Sequence, residues 1–307
     1  MATATPEVLV APGRRRRDKF FKTAFPYLFV APTVIVLAFL MLYPIAQVLF
    51  ISLWDNFMVV KDPKFVGLDN FRWLLDQDVF SLIFSNTVIF SVASVLLHLA
   101  FGLGLAMLLS AKINVHARSV FRGLLILPWL FTAAVVALNW RLMLNPFGIV
   151  NAMLAQFGLM SLAAPLNWLG EPSLALPGMI LINLWRGYPF VMLMLLAGLQ
   201  SIPAELYEAA DVDGAGGWAK FIRITIPNIR PVIASVGLLD MIWNLRLFDL
   251  VYLTTGGGPR NSTHVLATFT YQLAFERFEF SKAAALAVII LLVTSILTTF
   301  YFRYQKV

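Results

Sequence analysis

Six stretches of this chain are apolar enough, for long enough, to cross a bilayer. They run approximately from Tyr27 to Leu49, Thr87 to Leu109, Val120 to Leu142, Pro177 to Leu199, Pro231 to Val251 and Ala283 to Phe302. About 20 such residues span the hydrocarbon core, where backbone groups can be satisfied only within the helix itself. The pattern predicts an all-α integral membrane protein with six transmembrane helices. It excludes a soluble bundle, which would need a polar face on nearly every helix. The segments after the first, third and fifth spans are each roughly thirty to forty residues long. They carry Phe65, Phe71, Trp73, Leu74 and Trp168, which would form costly apolar patches in water, so these segments are expected to pack.

The first span follows a basic segment, Arg14 to Arg17 with Lys19 and Lys22. It is too long for the apolar core of a signal peptide, and no small-residue cleavage site follows Tyr43-Pro44-Ile45, so it reads as an uncleaved helix. Residues 1–13 are low in bulky apolar side chains and without periodicity, and read as a mobile tail. The expected division is a cytoplasmic N-terminal tail over 1–26 and a membrane domain over 27–307. Placing the N-terminus inside puts Arg14 to Arg17, Lys19, Lys22, Lys112, Arg118, Arg122, Lys220, Arg223, Arg230, Arg303 and Lys306 on the cytoplasmic side. The other side receives only Lys61, Lys64, Arg72, Arg141, Arg260, Arg277 and Lys282. That asymmetry places both termini in the cytoplasm.

Composition agrees with the pattern: of 307 residues 60% are hydrophobic and 13% charged, with a mean hydropathy of +0.82. The net charge of +7 sits mainly between the spans, where topology and anionic membrane lipid account for it without a nucleic-acid partner. Cysteine is absent, which rules out disulfides, thiolate metal sites and cysteine nucleophiles. His98, His116 and His264 are too dispersed for a recognised metal motif. No HExxH or Gly-x-Ser-x-Gly supports a membrane-embedded enzyme. Without a glycine-rich phosphate loop ending in Lys-Ser or Lys-Thr, the chain does not itself hydrolyse ATP through such a loop, and a motor must be another polypeptide.

The most informative stretch lies between the fourth and fifth spans, from Gln200 to Arg230. Pro203 suits a first helical turn, and Glu205 and Glu208 favour the positive end of the helix dipole, so a short helix through Ala210 is expected. Gly214 and Gly216-Gly217 interrupt it. A second short helix from Trp218 would place Trp218, Phe221, Ile222 and Thr225 on one face until Pro227 stops it. By periodicity alone this is an amphipathic pair at the membrane surface.

Residue identity says more. Glu208-Ala209-Ala210, Gly214, Ile224 and Ile226-Pro227 resemble the EAA loop of the membrane subunits of binding-protein-dependent ABC importers, with Ile226 where leucine is usual, a volume-conserving change. Phe65 to Phe71, Asn86-Thr87, Trp185-Arg186, Phe248-Asp249 and Thr255 to Pro259 are similar, in order and spacing, to sugar permeases of the maltose and glycerol phosphate importer type. The resemblance implies a type I ABC importer permease fold in the bacterial cytoplasmic membrane. It implies a second permease subunit, two ATPase subunits that hold the ATP and Mg, and an extracytoplasmic solute-binding protein as partners, with no cofactor on this chain. It further implies that the loop at 200–230 docks on the ATPase, where Glu208 makes polar contacts and Gly214 the turn, with Ala209, Ala210, Ile224 and Pro227 completing the motif.

Polar residues within spans usually face a bundle interior or a water-filled path. The fifth span is rich in them: Asp240, Trp243, Asn244, Arg246 and Asp249. Asp240, Trp243 and Asn244 share a helical face, and an aromatic beside hydrogen-bonding groups suits the apolar face and hydroxyls of a sugar-like solute. Arg246 and Asp249, three apart, could pair. Unpaired, Arg246 would instead suit a phosphorylated or sulfonated sugar or polyol. Arg186 reads as gating or packing. An ion-coupled secondary transporter is the rival class, and the internal repeat it calls for is not seen.

Overall fold

A computed structural model describes the backbone of residues 12–59, 61–111 and 114–305, and side chains within 27–303 of these. The expected tail at residues 1–11, Lys112 and Lys306 lie outside the described residues. The chain divides into two compact units, Met1–Phe50 and Ile51–Val307. The first unit holds all but the last two residues of helix α1, Pro12–Ser52. The helix begins fifteen residues before the expected span (27 − 12), carries the basic segment as helix, and is apolar enough to cross a membrane over Tyr27–Ser52. At 1.5 Å per residue it is about 60 Å long, roughly twice the hydrocarbon thickness.

In the second unit four more helices pass the same test of length and composition. These are α3 (Asp78–Ser110), α7 (Pro172–Gln200), α10 (Ile226–Leu245) with the turns that precede it, and α13 (Phe280–Gln305). The central one is α7, which packs against α3, α4 (Val115–Leu130) and α10. Tyr188, Val191, Met192 and Leu195 of α7 meet Ala106 and Leu109 of α3 and Val236 of α10 in one apolar cluster.

The expected third span is not one helix. It is α4 followed by α5 (Ala133–Met143), bent by 96° at Phe131-Thr132. Buried Pro128 lies in the last turn of α4, and the Thr132 hydroxyl caps α5 by accepting from the Val135 N–H at 3.4 Å. An unbroken apolar run hid this break, because hydropathy does not register a backbone turn. The expected fifth span also ends early. α10 stops at Leu245, Arg246 leaves helical geometry at its C-terminus, and a separate short helix α11 follows at Asp249–Thr254.

Two of the three long segments on the expected outer side pack as their aromatic content demands. Helix α2 (Asp69–Leu75) buries Leu74 among Phe80, Ile83, Phe269 and Leu286, with Phe71 and Trp73 against that cluster. Trp168 packs beneath α7 and donates to Asn151 Oδ1 of α6 (Ile149–Gln156) at 2.7 Å. Phe65 is the exception: it stays 65% exposed, held edge-on against Trp54. After α11 the loop is tied to α3, where Asn86 Nδ2 donates to the carbonyls of Asn261 and His264, and the Thr87 hydroxyl accepts from the N–H of Leu266, which opens α12 (Leu266–Tyr271).

Candidate functional site

Three helices meet around a cavity of about 240 Å³. Its polar wall is built by His98 of α3, Asn183 and Arg186 of α7, and Asp240 and Asn244 of α10; Trp129, Phe190 and Trp243 supply aromatic surface. Asp240, Trp243 and Asn244 fall on one side of α10 because positions three and four apart stack on a helix. Asn183 Nδ2 donates to Asn244 Oδ1 at 2.6 Å, and Asn244 Nδ2 donates to Asp240 Oδ1 at 3.0 Å. The second Asp240 oxygen meets His98 Nδ1 at 2.7 Å. Apolar rings beside oriented amides can hold a hydroxylated ring, stacking on one face and pairing at the rim.

Arg246 is not part of this wall. Because α10 ends at Leu245, Arg246 turns outward, exposed, with its Nε donating weakly to the Ile242 carbonyl at 3.4 Å. The pairing with Asp249 that a continuous helix would allow therefore does not form. Asp249 instead receives Arg186 Nη2 at 3.5 Å and accepts from the Leu250 N–H at 2.8 Å. Arg186 is the basic group that borders the cavity, 26% exposed. His98, Asn183, Trp129 and Phe190 were not singled out from sequence. The first two carried a usable signal as polar groups inside apolar spans.

The segment 200–230 forms a second, contrasting region. Helix α8 (Ala204–Val212) and the single turn α9 (Gly217–Lys220) bury no residue. Gly214 has φ +72°, a left-handed conformation that glycine adopts without the Cβ clash other residues meet. The Ala215 N–H reaches the Ala210 carbonyl at 2.9 Å and the Gly214 N–H reaches that of Asp211 at 3.1 Å, the paired bonds of a Schellman C-cap. Asp211 and Lys220 form an ion pair across the turn, and the hydroxyls of Tyr207 and Thr225 bond at 2.9 Å. Glu208 and Ala209 are exposed, Ala210 and Ile224 half-buried, and Pro227 exposed.

Pro227 does not stop the second helix. Residues Phe221–Thr225 form a π turn, in which the Ile226 N–H bonds to the Phe221 carbonyl five residues back, and the helix continues into α10 with Pro227 in its first turn. Proline lacks an N–H, so it is tolerated where the preceding bonding has already shifted register. The expected common face of Trp218, Phe221, Ile222 and Thr225 is split accordingly: Thr225 is buried, while Trp218 is 75% exposed.

A fold of long apolar helices around a polar cavity, with an exposed hairpin at one end, defines a multi-pass membrane transport subunit. The sequence profile described as "Binding-protein-dependent transport system inner membrane component" matches residues 98–306, and the chain belongs to that family. It is 33% identical over 290 residues to the trehalose/maltose transport system permease protein MalF of Thermococcus litoralis, covering 94% of this chain and 95% of that protein. It is 35% identical over 280 residues to the lactose permease protein LacF of Rhizobium radiobacter, covering 90% and 92%. It is 33% identical over 278 residues to the sulfoquinovosyl glycerol permease protein SmoG of Agrobacterium fabrum, covering 90% and 88%. The fold is similar to a chain of a bacterial ABC transporter involved in import of the acidic polysaccharide alginate, with a TM-score of 0.79, 26% identity, and 95% and 98% of the two chains covered. Among the described residues no group of three or more histidine, aspartate or glutamate side chains could hold a metal ion.

Proposed function

We propose that this chain is one permease subunit of an ATP-driven importer for a sugar-like solute, and that the 200–230 hairpin is its coupling element. The carrying observation is continuity. From Gly217 the chain runs without a break through the π turn into α10 up to Leu245, so the hairpin and the cavity residues Asp240, Trp243 and Asn244 share one stiff rod. Helix α8 is joined to this rod by the Gly214 turn and braced against it by the Asp211–Lys220 ion pair and the Tyr207–Thr225 bond, so force on α8 reaches the cavity wall through these contacts. Helix α8, which buries no residue and is capped by a Gly214 turn, is available to a cytoplasmic ATPase. The working assembly in this reading adds a second permease subunit, two ATPase chains holding ATP and Mg, and an extracytoplasmic solute-binding protein. The names of three relatives and the presence of a periplasmic binding protein in a related solved complex support it. Both termini are cytoplasmic in this arrangement, and the hairpin lies on the same side.

Gly214→Asp tests the coupling role. A Cβ at Gly214 meets no neighbour, so the variant inserts normally, while backbone strain and an added charge disturb the docking turn. Uptake of trehalose, lactose or sulfoquinovosyl glycerol by a strain carrying the variant should fall to background with the protein still in the membrane. Undiminished uptake would rule the coupling role out.

An anionic solute is the second reading, and Arg186 on the cavity wall favours it. The anion partner in this reading shifts from Arg246, which does not line the cavity, to Arg186, which does. If the solute is anionic, Arg186→Gln should weaken uptake of sulfoquinovosyl glycerol far more than that of lactose; equal effects would remove the anionic reading.

A further inference from the structure

Asp240 is buried five residues before the C-terminal end of α10, with both carboxylate oxygens engaged. Opposite it, His98 is 1% exposed and has both ring nitrogens engaged: Nδ1 with Asp240 Oδ2 at 2.7 Å, and Nε2 with the Asn183 backbone carbonyl at 3.0 Å. A peptide carbonyl can only accept, so Nε2 carries a hydrogen. A bare ring nitrogen and a bare carboxylate oxygen would repel at 2.7 Å, so one further proton lies between Nδ1 and Oδ2. Drawn as imidazolium with carboxylate or as imidazole with carboxylic acid, the pair holds the same protons and has zero net charge.

The amides follow from the same accounting. Asn244 Nδ2 also faces the Asp240 backbone carbonyl at 2.9 Å, so its donor side is turned to Asp240 and its oxygen to Asn183. Every bond then runs one way, from Asn183 to Asn244 to Asp240, and the relay ties α3, α7 and α10 at one level. Gly187 makes room for it: a Cβ there would collide with the His98 ring, so the α7 backbone lies directly against the imidazole.

We propose that His98 is a positioning residue for solute passage. By sharing one proton with Asp240 it holds three helices together and sets the polarity of the cavity wall, leaving Asp240 no free charge. The charged groups near the pair from the surrounding helices are Arg186 of α7, on the cavity wall, and Asp249 of α11 beside it. Only the transport readout of this role depends on the reading of the cavity as a solute path; the proton count does not.

The accounting yields an asymmetry. Asp240→Asn can turn its oxygen to Asn244 and its N–H to the lone pair of a neutral His98, keeping every bond. Asp240→Leu strands His98 Nδ1 and one of the two N–H groups of Asn244 Nδ2, the other keeping the backbone carbonyl. His98→Gln must aim its oxygen either at the Asn183 carbonyl, which only accepts, or at Asp240, which can meet it only by keeping the proton alone as a buried acid. Purified variants in lipid nanodiscs, labelled with 15N-histidine, test this by thermal unfolding and by imidazole NMR. His98 is identified by its absence in His98→Gln.

Asp240→Asn should unfold close to the native protein, and His98→Gln at least about 5 °C lower. The imidazole should carry a proton on Nε2 in the native protein and appear as the neutral Nε2–H form in Asp240→Asn. In the assembled importer, His98→Gln should raise the KM for a carried sugar from the trehalose, lactose and sulfoquinovosyl glycerol set more than it lowers the maximal rate. An unprotonated Nε2, or Asp240→Asn as destabilised as His98→Gln, overturns the shared-proton role. Loss of maximal rate with KM unchanged overturns the positioning role. Carriage of none of the three sugars with the NMR result as expected counts against the solute reading alone.

Discussion

The cavity wall and the 200–230 hairpin are built on opposite principles. The wall is buried and its order comes from residues far apart in the chain, with His98, Asn183 and Asp240 meeting across three helices. The hairpin is exposed, and its order comes from neighbours: a Schellman cap at Gly214 and an ion pair between Asp211 and Lys220. A buried relay tolerates no unpaired member, because each stranded group loses its partner without regaining water. An exposed hairpin can lose a contact with little loss of stability. Changes in the wall should therefore register first in folding, and changes in the hairpin first in work done.

Asp240→Leu sets the upper end of that contrast. Removing one partner of a buried pair typically costs about 3–5 kcal/mol, so the variant should show a large fall in unfolding temperature or fail to accumulate in the membrane; unaltered stability would mean the relay carries no weight. Gly214→Val is intermediate. Its left-handed backbone penalises a β-branched residue by about 1–2 kcal/mol, confined to a turn with open space around it. Global unfolding should shift little while solute-stimulated ATP hydrolysis by the assembly falls. Glu208→Ala sharpens the contrast further: an exposed side chain with no buried contact should change stability by less than about 0.5 kcal/mol and still reduce uptake.

The smallest effect concerns the loop after α11. Burial, with a lesser contribution from Arg277, lowers the pKa of His264 below that of an ordinary imidazole, and Glu276 only partly opposes this. The folded loop thus favours the neutral ring. Its stability is complete above the unfolded pKa and declines as pH falls through that value toward the folded one. Protection factors in 255–265, taken relative to the intrinsic exchange rate at each pH, should fall modestly on acidification below about 6.5, and His264→Gln should remove that dependence.

The same division explains what could be read from sequence. Runs of apolar residues revealed the long helices, and the glycine-proline punctuation of 200–230 revealed the hairpin, since both are local signals. The break at Phe131-Thr132 was hidden because every residue around it is apolar or small. The end of α10 at Leu245 was hidden because Arg246 to Asp249 carry no proline or glycine. That end leaves Arg246 outside the lining of the cavity. Asp240, Trp243 and Asn244 line it together because helix periodicity puts them on one face. His98 and Asn183 were passed over because their partners lie 142 and 61 residues away, a separation that no local pattern encodes. Pro227 misled for a different reason: the π turn before it absorbs the missing N–H.

The most direct test of coupling through the hairpin uses the absence of native cysteine. Val212, 89% exposed at the end of α8, is replaced by cysteine, and membrane vesicles of either orientation are treated with a membrane-impermeant maleimide before ATP-driven transport is measured. Labelling and loss of transport in inside-out vesicles, with neither in right-side-out vesicles, is the predicted result. Labelling from the outer face, or full transport after complete labelling from the inner face, would contradict it.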